Sequence, residues 1–328
     1  MPKAVIAAVE YHLPARMLTN EDLAREFPEW GAAKIAEKTG IDCRHIAADG
    51  ELSSDLAAEA AQKLFATGVV APGDIDYVLF CTQTPDFALP TSACLLQHRL
   101  GVPRSAGALD FNLGCSGYIY GLSLAKGLIE SGQANRVLLL TGETYSKLMD
   151  ANDKTVRTIF GDAGSATLVF GIDGEEHDGI GPLVFGTDGA GGGNLVCHRG
   201  GLRGPTAEAE GRNALWMNGP EVFNFTLKVV PDAVERVLDR AGLKQEEIDL
   251  FVFHQANRYM LDHLRKKLHV PEEKFVVAMA HCGNTVSCSI PIALAEARRM
   301  ARLKSGARVM LVGFGVGYSW GATLIRWL

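Results

Sequence analysis

The chain has 328 residues, of which 47% are apolar and 21% are charged, and these values exclude a disordered or fibrous protein. Its 32 Lys and Arg residues against 38 Asp and Glu residues give a formal net charge of −6, which argues against a nucleic-acid binder that relies on a basic surface. Because no apolar run reaches the ~18 residues of a membrane helix and the start at 1–6 is too short for a secretory signal, we expect a cytoplasmic protein without a membrane partner.

The length exceeds the roughly 250 to 300 residues at which a single core stops growing, so we expect two domains or two fused halves. Two pairs of segments indicate a duplication. The segment 74–80 resembles 247–253 at an offset of 173, and the segment 136–140 resembles 308–312 at an offset of 172. The alternative is that two α/β units look alike by chance. We place the halves at 1–172 and 173–328.

Helical patterns alternate with short, entirely apolar strands. Such strands are typical of a sheet that is buried on both faces. Their alternation with helices predicts βαβ crossovers and a largely parallel sheet. In chain order the pattern predicts a helix at 53–66, strands at 77–80 and 137–140, a helix at 222–241, strands at 250–253 and 275–279, a helix from about Ser289 and a strand at 309–312.

The segment 186–204, which connects the halves, contains eight glycines in 19 residues. This glycine content disfavours the interior of a helix or strand. The segment also lacks the Gly-Lys-Ser/Thr of a phosphate-binding loop, so a nucleotide site is not predicted. We expect a mobile surface loop.

Seven cysteines lie at scattered positions without a Cys-x-x-Cys pair, which disfavours a disulfide framework or a structural zinc site. Cys115 alone has a local setting that favours reactivity, because it lies between Gly114 and Gly117 at a turn into a helical pattern. Free N–H groups at the start of a helix stabilise a thiolate, so we expect a lowered pKa for Cys115. A buried structural thiol is the alternative.

His254 and Asn284 come from loops of the second half. His254 follows a buried strand, and catalytic groups in α/β sheets gather at the carboxyl ends of strands. Asn284 lies opposite Asn112 at the offset of 172, and Asn112 belongs to the loop that leads to Cys115. The duplication therefore brings these loops to comparable sheet ends. A structural histidine and an ordinary turn asparagine are the alternatives.

Together these loops predict a cysteine nucleophile with two neutral hydrogen-bond donors. A cysteine can take an acyl group from a thioester, and two donors can stabilise an oxyanion that develops after acylation. A cysteine protease also uses Cys, His and Asn, so a hydrolase stays open at this point. No metal is predicted, because the adjacent pairs Cys197-His198 and His281-Cys282 lack ligand spacing.

Four motifs carry a resemblance to a known family. They are Asn112-Leu113-Gly114-Cys115-Ser116-Gly117, His254-Gln255-Ala256-Asn257, Gly283-Asn284-Thr285 and Gly313-Phe314-Gly315-Val316-Gly317-Tyr318-Ser319-Trp320-Gly321. In residues and order they resemble the 3-oxoacyl-(acyl-carrier-protein) synthase III family of the thiolase superfamily. The resemblance implies two similar halves in a five-layer α-β-α-β-α arrangement and a homodimer.

The resemblance also implies a ping-pong Claisen condensation. Cys115 would take an acyl group from an acyl thioester, usually acyl-CoA, and the amides of Cys115 and Val316 would form an oxyanion hole. His254 and Asn284 would hydrogen-bond the thioester oxygen of malonyl-(acyl-carrier protein) while CO2 leaves. No cofactor is implied beyond the phosphopantetheine of these substrates. Because His254 must be neutral, we expect decarboxylation to fall on the acid side of its pKa, between about pH 5 and 8.

For substrate binding, the resemblance implies a pocket with Asn257, Phe160 and Leu89, the last lent by the neighbouring subunit. Leu89 stands where the family commonly has an aromatic residue, so a longer or branched acyl group is expected to fit. The tryptophan that stacks on the adenine of CoA in the family is replaced by Lys34, with Trp30 four residues earlier. This difference leaves a carrier-bound acyl donor open beside acyl-CoA.

The helix expected after His254 carries a basic set of residues around an apolar stripe. Such a patch can steer an acidic carrier protein despite the acidic total charge. A solvated helix face is the alternative. The set consists of Arg258, Arg265, Lys266 and Lys267.

Two other functions fit the same motifs. An acyltransferase or thioesterase would pass the acyl group from Cys115 to an alcohol, an amine or water. A non-catalytic partner subunit would only shape the pocket of a heterodimer. A requirement for malonyl thioester with release of CO2 separates condensation from the acyltransferase or thioesterase. Failure to label Cys115 would favour the non-catalytic subunit.

Overall fold

A computed structural model describes residues 2–174, 179–203 and 214–328. Within these ranges, no helix is both long enough and apolar enough to cross a membrane. The strands are β1 (Lys3–His12), β2 (Arg16–Thr19), β3 (Cys43–Ile46), β4 (Tyr77–Cys81), β5 (Gly107–Phe111), β6 (Arg136–Glu143), β7 (Ala163–Ile172), β8 (Ile180–Thr187), β9 (Leu195–Cys197), β10 (Leu215–Met217), β11 (Leu250–Phe253), β12 (Arg308–Gly315) and β13 (Ser319–Arg326). The helices are α1 (Asn20–Glu26), α2 (Ala32–Thr39), α3 (Ser53–Ala66), α4 (Ser92–Arg99), α5 (Gly117–Glu130), α6 (Lys154–Arg157), α7 (Gly219–Ala241), α8 (Arg258–Lys267) and α9 (Ser289–Arg299).

The two large sheets are mixed, not largely parallel as the alternation of elements predicted. The first has the order β1-β7-β6-β4-β5 and the second the order β11-β12-β13-β8. The strands that carry the repeated segments are parallel: β4 with β6 in the first sheet and β11 with β12 in the second. By contrast, β7 and β13 run antiparallel to both of their neighbours. The prediction was wrong because the link from β12 to β13 spans only Val316–Tyr318, which is too short for a crossover.

The repeated sequence segments form equivalent strand pairs. In the first half β4 pairs with β6, with Tyr77 opposite Val137. In the second half β11 pairs with β12, with Leu250 opposite Val309. The duplication read from the sequence therefore corresponds to the same structural unit in both sheets.

The helices and sheets stack in the predicted five layers. Helices α3 and α4 pack on one face of the first sheet, α5 and α9 lie between the two sheets, and α7 and α8 cover the far face of the second sheet. Each of the three helical layers has its own cluster of buried apolar residues. The central layer matters for function, because α5 follows Cys115 and α9 follows Asn284.

The predicted strand at 275–279 is reduced to a single bridge between Phe251 and Phe275. The buried side chain of Gln255 takes the hydrogen bonds that a neighbouring strand would use. Its Nε2 donates to the carbonyl of Val276 at 3.3 Å, and its Oε1 accepts from the amide of Ala278 at 2.8 Å. The segment is therefore fixed by a side chain.

The glycine-rich segment is also more ordered than a surface loop. Of its described residues, 186 and 187 end β8, Gly189–Asn194 forms a 3-10 helix and Leu195–Cys197 pairs with β10. Gly191 is buried under the ring of Tyr318, where a Cβ would lie 2.1 Å from the ring carbons. Close packing, not mobility, explains a glycine at this position. The last residue of the segment, 204, lies outside the described ranges.

Gly164 sets how closely α3 can approach β7. A Cβ at Gly164 would lie 2.2 Å from the carbonyl carbon of Leu56 and 2.4 Å from the amide of Ala57. Both contacts are with backbone atoms, which cannot rotate away. We expect Gly164→Ala to destabilise the fold by about 1–3 kcal/mol, measured by denaturant unfolding.

Gly127→Ala is the matched control. Gly127 lies inside α5 with nothing within 4 Å of the Cβ position, so alanine should be neutral or should stabilise the protein by up to about 1 kcal/mol. Equal effects of the two substitutions would contradict the packing explanation.

Candidate active site

Cys115 lies in the turn between β5 and α5, against the end of β12 from the second half. The contact requires glycine on the β12 side. A Cβ at Gly315 would lie 2.8 Å from both Cβ and Sγ of Cys115, and a Cβ at Gly313 would lie 2.9 Å from the carbonyl oxygen of Cys115. The two halves therefore meet directly at the thiol.

The thiol is nearly inaccessible, with 5% of Cys115 exposed. Burial raises its pKa to about 12, while the backbone amides of Val316 and Cys115 act in the opposite direction. The expected lowering of the pKa was wrong, because loss of hydration outweighs these two amides. The same two amides are those that the resemblance assigns to an oxyanion hole, and both hydrogen-bond the sulfur.

His254 follows β11 and is 2% exposed. Burial lowers the pKa of His254 to about 3, and a hydrogen bond to the backbone of Val286 acts against this shift. Its Nδ1 lies 2.7 Å from Oγ of Ser289, and its ring meets that of Phe314 edge-on at 5.4 Å. This lowered pKa keeps the imidazole neutral from pH 5 to 8, so a loss of decarboxylation through His254 is expected only below that range.

Asn284 is held by backbone hydrogen bonds to a segment of the first half. Its amide donates to the carbonyl of Ile159 at 2.9 Å, and its carbonyl accepts from the amide of Gly161 at 3.0 Å. Its side-chain Oδ1 accepts from the amide of Val286 at 2.9 Å. The carboxamide orientation is thus fixed with its oxygen engaged, which leaves the Nδ2 donor for a ligand.

These side chains line one inner cavity of about 40 Å³. Of the residues predicted from the sequence, the cavity brings together Cys115, His254, Asn284, Asn257 and Phe160. The remaining wall is apolar for the most part and consists of Ile159, Leu195, Met217, Val222, Ala256, Met260, Phe314 and Gly315.

A wider cleft of about 500 Å³ lies directly outside the inner cavity, and the two share Ile159 and Asn257. Trp30 lines this cleft together with Lys38, Tyr259 and several threonines. The ammonium groups of Lys34, Lys38 and Lys154 lie 5.4–5.7 Å from the centre of the Trp30 ring. Trp30 lies four residues before the position at which the family has its tryptophan. The structure nevertheless places its indole ring in the cleft at the mouth of the inner cavity, with three lysine ammonium groups around it.

The other predicted residues lie outside the inner cavity of this chain. Leu89 does not line the inner cavity of this chain and is 83% exposed. Arg258 donates from Nε to both carboxylate oxygens of Asp262, at 3.0 and 3.1 Å, and Lys267 donates to a backbone carbonyl at 2.8 Å. Arg265 donates to the carbonyl of Val270 at 3.4 Å, and Lys266 is exposed.

Leu195 and Met217 are among the cavity residues that sequence reasoning missed. They lie on β9 and β10, on either side of residues 204–213, which are outside the described ranges. The glycine-rich composition around Leu195 hid this role, and no periodic pattern in so short a strand could have shown it.

Two buried ionisable groups near the site were also missed. Arg44 is fully buried, forms no salt bridge in the described part of the chain, and donates from Nε to the carbonyl of Thr158 at 3.0 Å. Burial raises the pKa of Glu143 to about 8, and its oxygens accept from Ser287 Oγ at 2.8 Å and from the amide of Gln83 at 3.1 Å. Arg44 supports the segment that holds Asn284, and Glu143 joins the two halves beside Cys115.

Comparison with known proteins agrees with this geometry. The sequence pattern of 3-oxoacyl-(acyl-carrier-protein) synthase III matches residues 109–189, and that of its C-terminal part matches residues 238–327. A β-ketoacyl-(acyl-carrier-protein) synthase III of Symbiobacterium thermophilum is 40% identical over 96% of this chain and 95% of its own length. A β-ketoacyl-(acyl-carrier-protein) synthase III 2 of Bacillus subtilis (strain 168) is 39% identical over 100% of this chain and 99% of its own.

A solved structure extends the similarity to the whole fold. A crystal structure of a 3-oxoacyl-(acyl-carrier-protein) synthase III is 55% identical, covers 99% of this chain and 100% of its own, and superposes with a TM-score of 0.96. The fold and these relatives define an acyl-transferring enzyme of the thiolase type. The chain belongs to the 3-oxoacyl-(acyl-carrier-protein) synthase III family.

The raised pKa predicts how Cys115 reacts with an alkylating agent. Because the thiol titrates near pH 12, its thiolate fraction should grow about tenfold per pH unit between about pH 7 and 9. We expect the rate of alkylation by iodoacetamide, measured by peptide mass spectrometry, to rise in the same proportion. Cys115→Ala identifies the signal, and a rate that reaches a plateau below about pH 8 would contradict the raised pKa.

Proposed function

We propose that this enzyme condenses an acyl thioester with malonyl-(acyl-carrier protein), with loss of CO2, to give a 3-oxoacyl-(acyl-carrier protein). One observation carries the proposal. Cys115 from the first half and His254 and Asn284 from the second line the same buried cavity. A cysteine that is neutral at rest and two neutral donors suit thioester chemistry, because no fixed charge has to be desolvated.

In the first half-reaction Cys115 attacks the acyl thioester. The bond between its sulfur and the acyl carbon forms, the bond to the leaving thiolate breaks, and the proton of the Cys115 thiol ends on the departing thiol. The amides of Cys115 and Val316, which already hydrogen-bond the sulfur, are the donors for the oxyanion of this step.

In the second half-reaction the malonyl thioester loses CO2. The electron pair of the broken carbon–carbon bond moves into an enolate, whose oxygen accepts hydrogen bonds from His254 and the Asn284 carboxamide. The enolate carbon then attacks the acyl carbon on Cys115, and the sulfur leaves. The burial that keeps His254 uncharged strengthens it as a donor to the enolate, since low-polarity surroundings strengthen such bonds.

The mouth of the site supports acyl-CoA as the acyl donor. Trp30 offers an aromatic face for stacking, and Lys34, Lys38 and Lys154 surround it with positive charge. Both features suit a phosphorylated nucleotide attached to a thioester arm. Asn257, which the cleft and the inner cavity share, and Phe160 are proposed to contact the arm and the acyl group.

The acceptor is proposed to be an acidic carrier protein that docks on α8, beside the mouth. Lys266 and Lys267 are exposed there, whereas the ion pair with Asp262 partly compensates Arg258. Arg265 lies 3.8 Å from Glu272 and keeps partial exposure. Attraction by the whole set would act mainly on the encounter rate.

A homodimer is part of the proposal. Strand β5 is an edge of the first sheet, and an unpaired strand edge favours pairing with another chain. Exposed apolar side chains gather at and near this edge: Phe87 58%, Leu89 83%, Leu95 38% and Leu109 42% exposed. Pairing of two copies here would cover this surface and allow Leu89 to reach the partner's site, with halves 1–172 and 173–328 in each subunit. We place the dimer in the cytoplasm.

Hydrolysis or transfer to another acceptor fits the site less well. A thioesterase needs a base that removes a proton from water. His254, with its pKa near 3, is a poor base at neutral pH. The same imidazole is well suited to donate a hydrogen bond, as condensation requires.

Intact-protein mass spectrometry tests the reaction. Incubation with a panel of acyl-CoAs should add the acyl mass to the wild type and to Cys94→Ala, a control at an exposed thiol, but not to Cys115→Ala. Malonyl-(acyl-carrier protein) should then remove the adduct with release of CO2. His254→Ala and Asn284→Ala should keep the acyl adduct but slow condensation about 10²–10³-fold. Loss of the adduct to water without CO2 would overturn the proposal.

Sedimentation velocity tests the dimer. Leu109→Lys places a charge on the β5 edge and should shift the protein towards monomer, because a buried unpaired charge is costly. Met300→Lys is the matched control, since Met300 is 59% exposed at the end of α9 and away from β5. A monomeric wild type, or a Leu109→Lys variant that stays dimeric, would contradict this interface.

A further inference from the structure

Ser289, the first residue of α9, contacts the imidazole of His254. Its Oγ lies 2.7 Å from His254 Nδ1, and both residues are 2% exposed. The condensation proposed above requires His254 to donate a hydrogen bond into the cavity. A neutral imidazole carries one proton on either of two nitrogens, so something must decide which nitrogen it is.

The hydrogen bonds of Ser289 settle the position of the proton. A serine hydroxyl has one proton to donate and two lone pairs that accept. The backbone amide of Gln255 donates to Ser289 Oγ at 3.3 Å and occupies one lone pair. In the described part of the chain, the other contact of this oxygen is His254 Nδ1.

The alternative assignment leaves a buried proton unsatisfied. If Nδ1 carried the proton, Ser289 Oγ would accept from both the ring and Gln255, and its own proton would have no acceptor. An unpaired buried donor is costly. If the hydroxyl instead donates to Nδ1, every group in this set is satisfied and the ring proton lies on Nε2. The ring also hydrogen-bonds the backbone of Val286, a contact that raises the pKa of His254 and therefore has the ring as donor. With Nδ1 accepting from Ser289, Nε2–H is the donor that remains for this contact.

We propose that Ser289 is the positioning residue that holds His254 in the Nε2–H form, so that the ring donates into the cavity from Nε2. The inference rests on the proposed condensation, in which this N–H bonds the thioester oxygen as the enolate forms. Ser289 touches no substrate and acts only through His254. It thereby makes decarboxylation, and not the acylation of Cys115, depend on a residue of α9.

Nitrogen NMR of the ring tests the assignment directly. Full-length enzyme with 15N-labelled imidazole nitrogens gives separate signals for protonated and bare ring nitrogens, and His254→Gln identifies the signals of His254 among the nine histidines. At neutral pH the wild type should show the proton on Nε2. In Ser289→Ala the population of this form should fall.

Kinetics of the two half-reactions test the consequence. Ser289→Ala should acylate Cys115 at the wild-type rate but slow the decarboxylation of malonyl-(acyl-carrier protein) about 10- to 100-fold, as loss of an orienting partner does elsewhere. Ser287→Ala is the matched control, since Ser287 is a buried serine of the preceding turn whose hydroxyl bonds Glu143. It should change the two rates by the same small factor.

A fall in the Nε2–H population together with slower decarboxylation supports the proposal. A wild-type proton on Nδ1, an unchanged population in Ser289→Ala, or a changed population without slower decarboxylation overturns it. If Ser289→Ala fails to fold, the wild-type spectrum still decides, and Ser289→Cys, with its weaker donor, should give a smaller shift. A wild type that does not decarboxylate overturns the proposed function, while the spectrum still reports the tautomer.

Discussion

Direct contact between Cys115 and two glycines of β12 is the constraint on which the site depends. Any side chain at Gly315 would clash with the sulfur, and one at Gly313 would clash with the backbone of the same turn. Because glycine has no side chain at these positions, the turn that carries Cys115 in the first half can pack directly against β12 of the second half. The thiol, the imidazole and the carboxamide can then line a single cavity, although they are far apart in the sequence.

Burial then decides the chemistry of the groups that meet there. The same loss of hydration raises the pKa of the Cys115 thiol and lowers that of the His254 imidazole, so both are neutral near pH 7. A thiolate–imidazolium pair, which a cysteine protease uses, is therefore not the resting state here. Neutral donors and backbone amides are what a thioester oxygen and an enolate can use, and the cavity supplies both.

Orientation of the two donors depends on residues that never face the cavity. Arg44 holds the carbonyl of Thr158, next to the segment that pairs with Asn284. Ser289 bonds His254 from the start of α9. Each of these supports is buried and polar, and each pairs with a specific partner, which is how a buried polar network keeps a single geometry.

The sequence by itself determined the duplication and the three loops that carry Cys115, His254 and Asn284, because repeated strands and glycine turns leave a signal in the chain. The five layers were implied by its resemblance to a known family. The sequence-based predictions were wrong where a residue contacts a segment far away in the sequence. Gln255 replaces a strand at 275–279, and Gly191 packs the glycine-rich segment under Tyr318. Only the tertiary structure decided the protonation of the thiol and imidazole, the walls at Leu195 and Met217, and the ring of lysines at Trp30. Those properties depend on burial and on contacts between distant segments, and neither is encoded in local spacing.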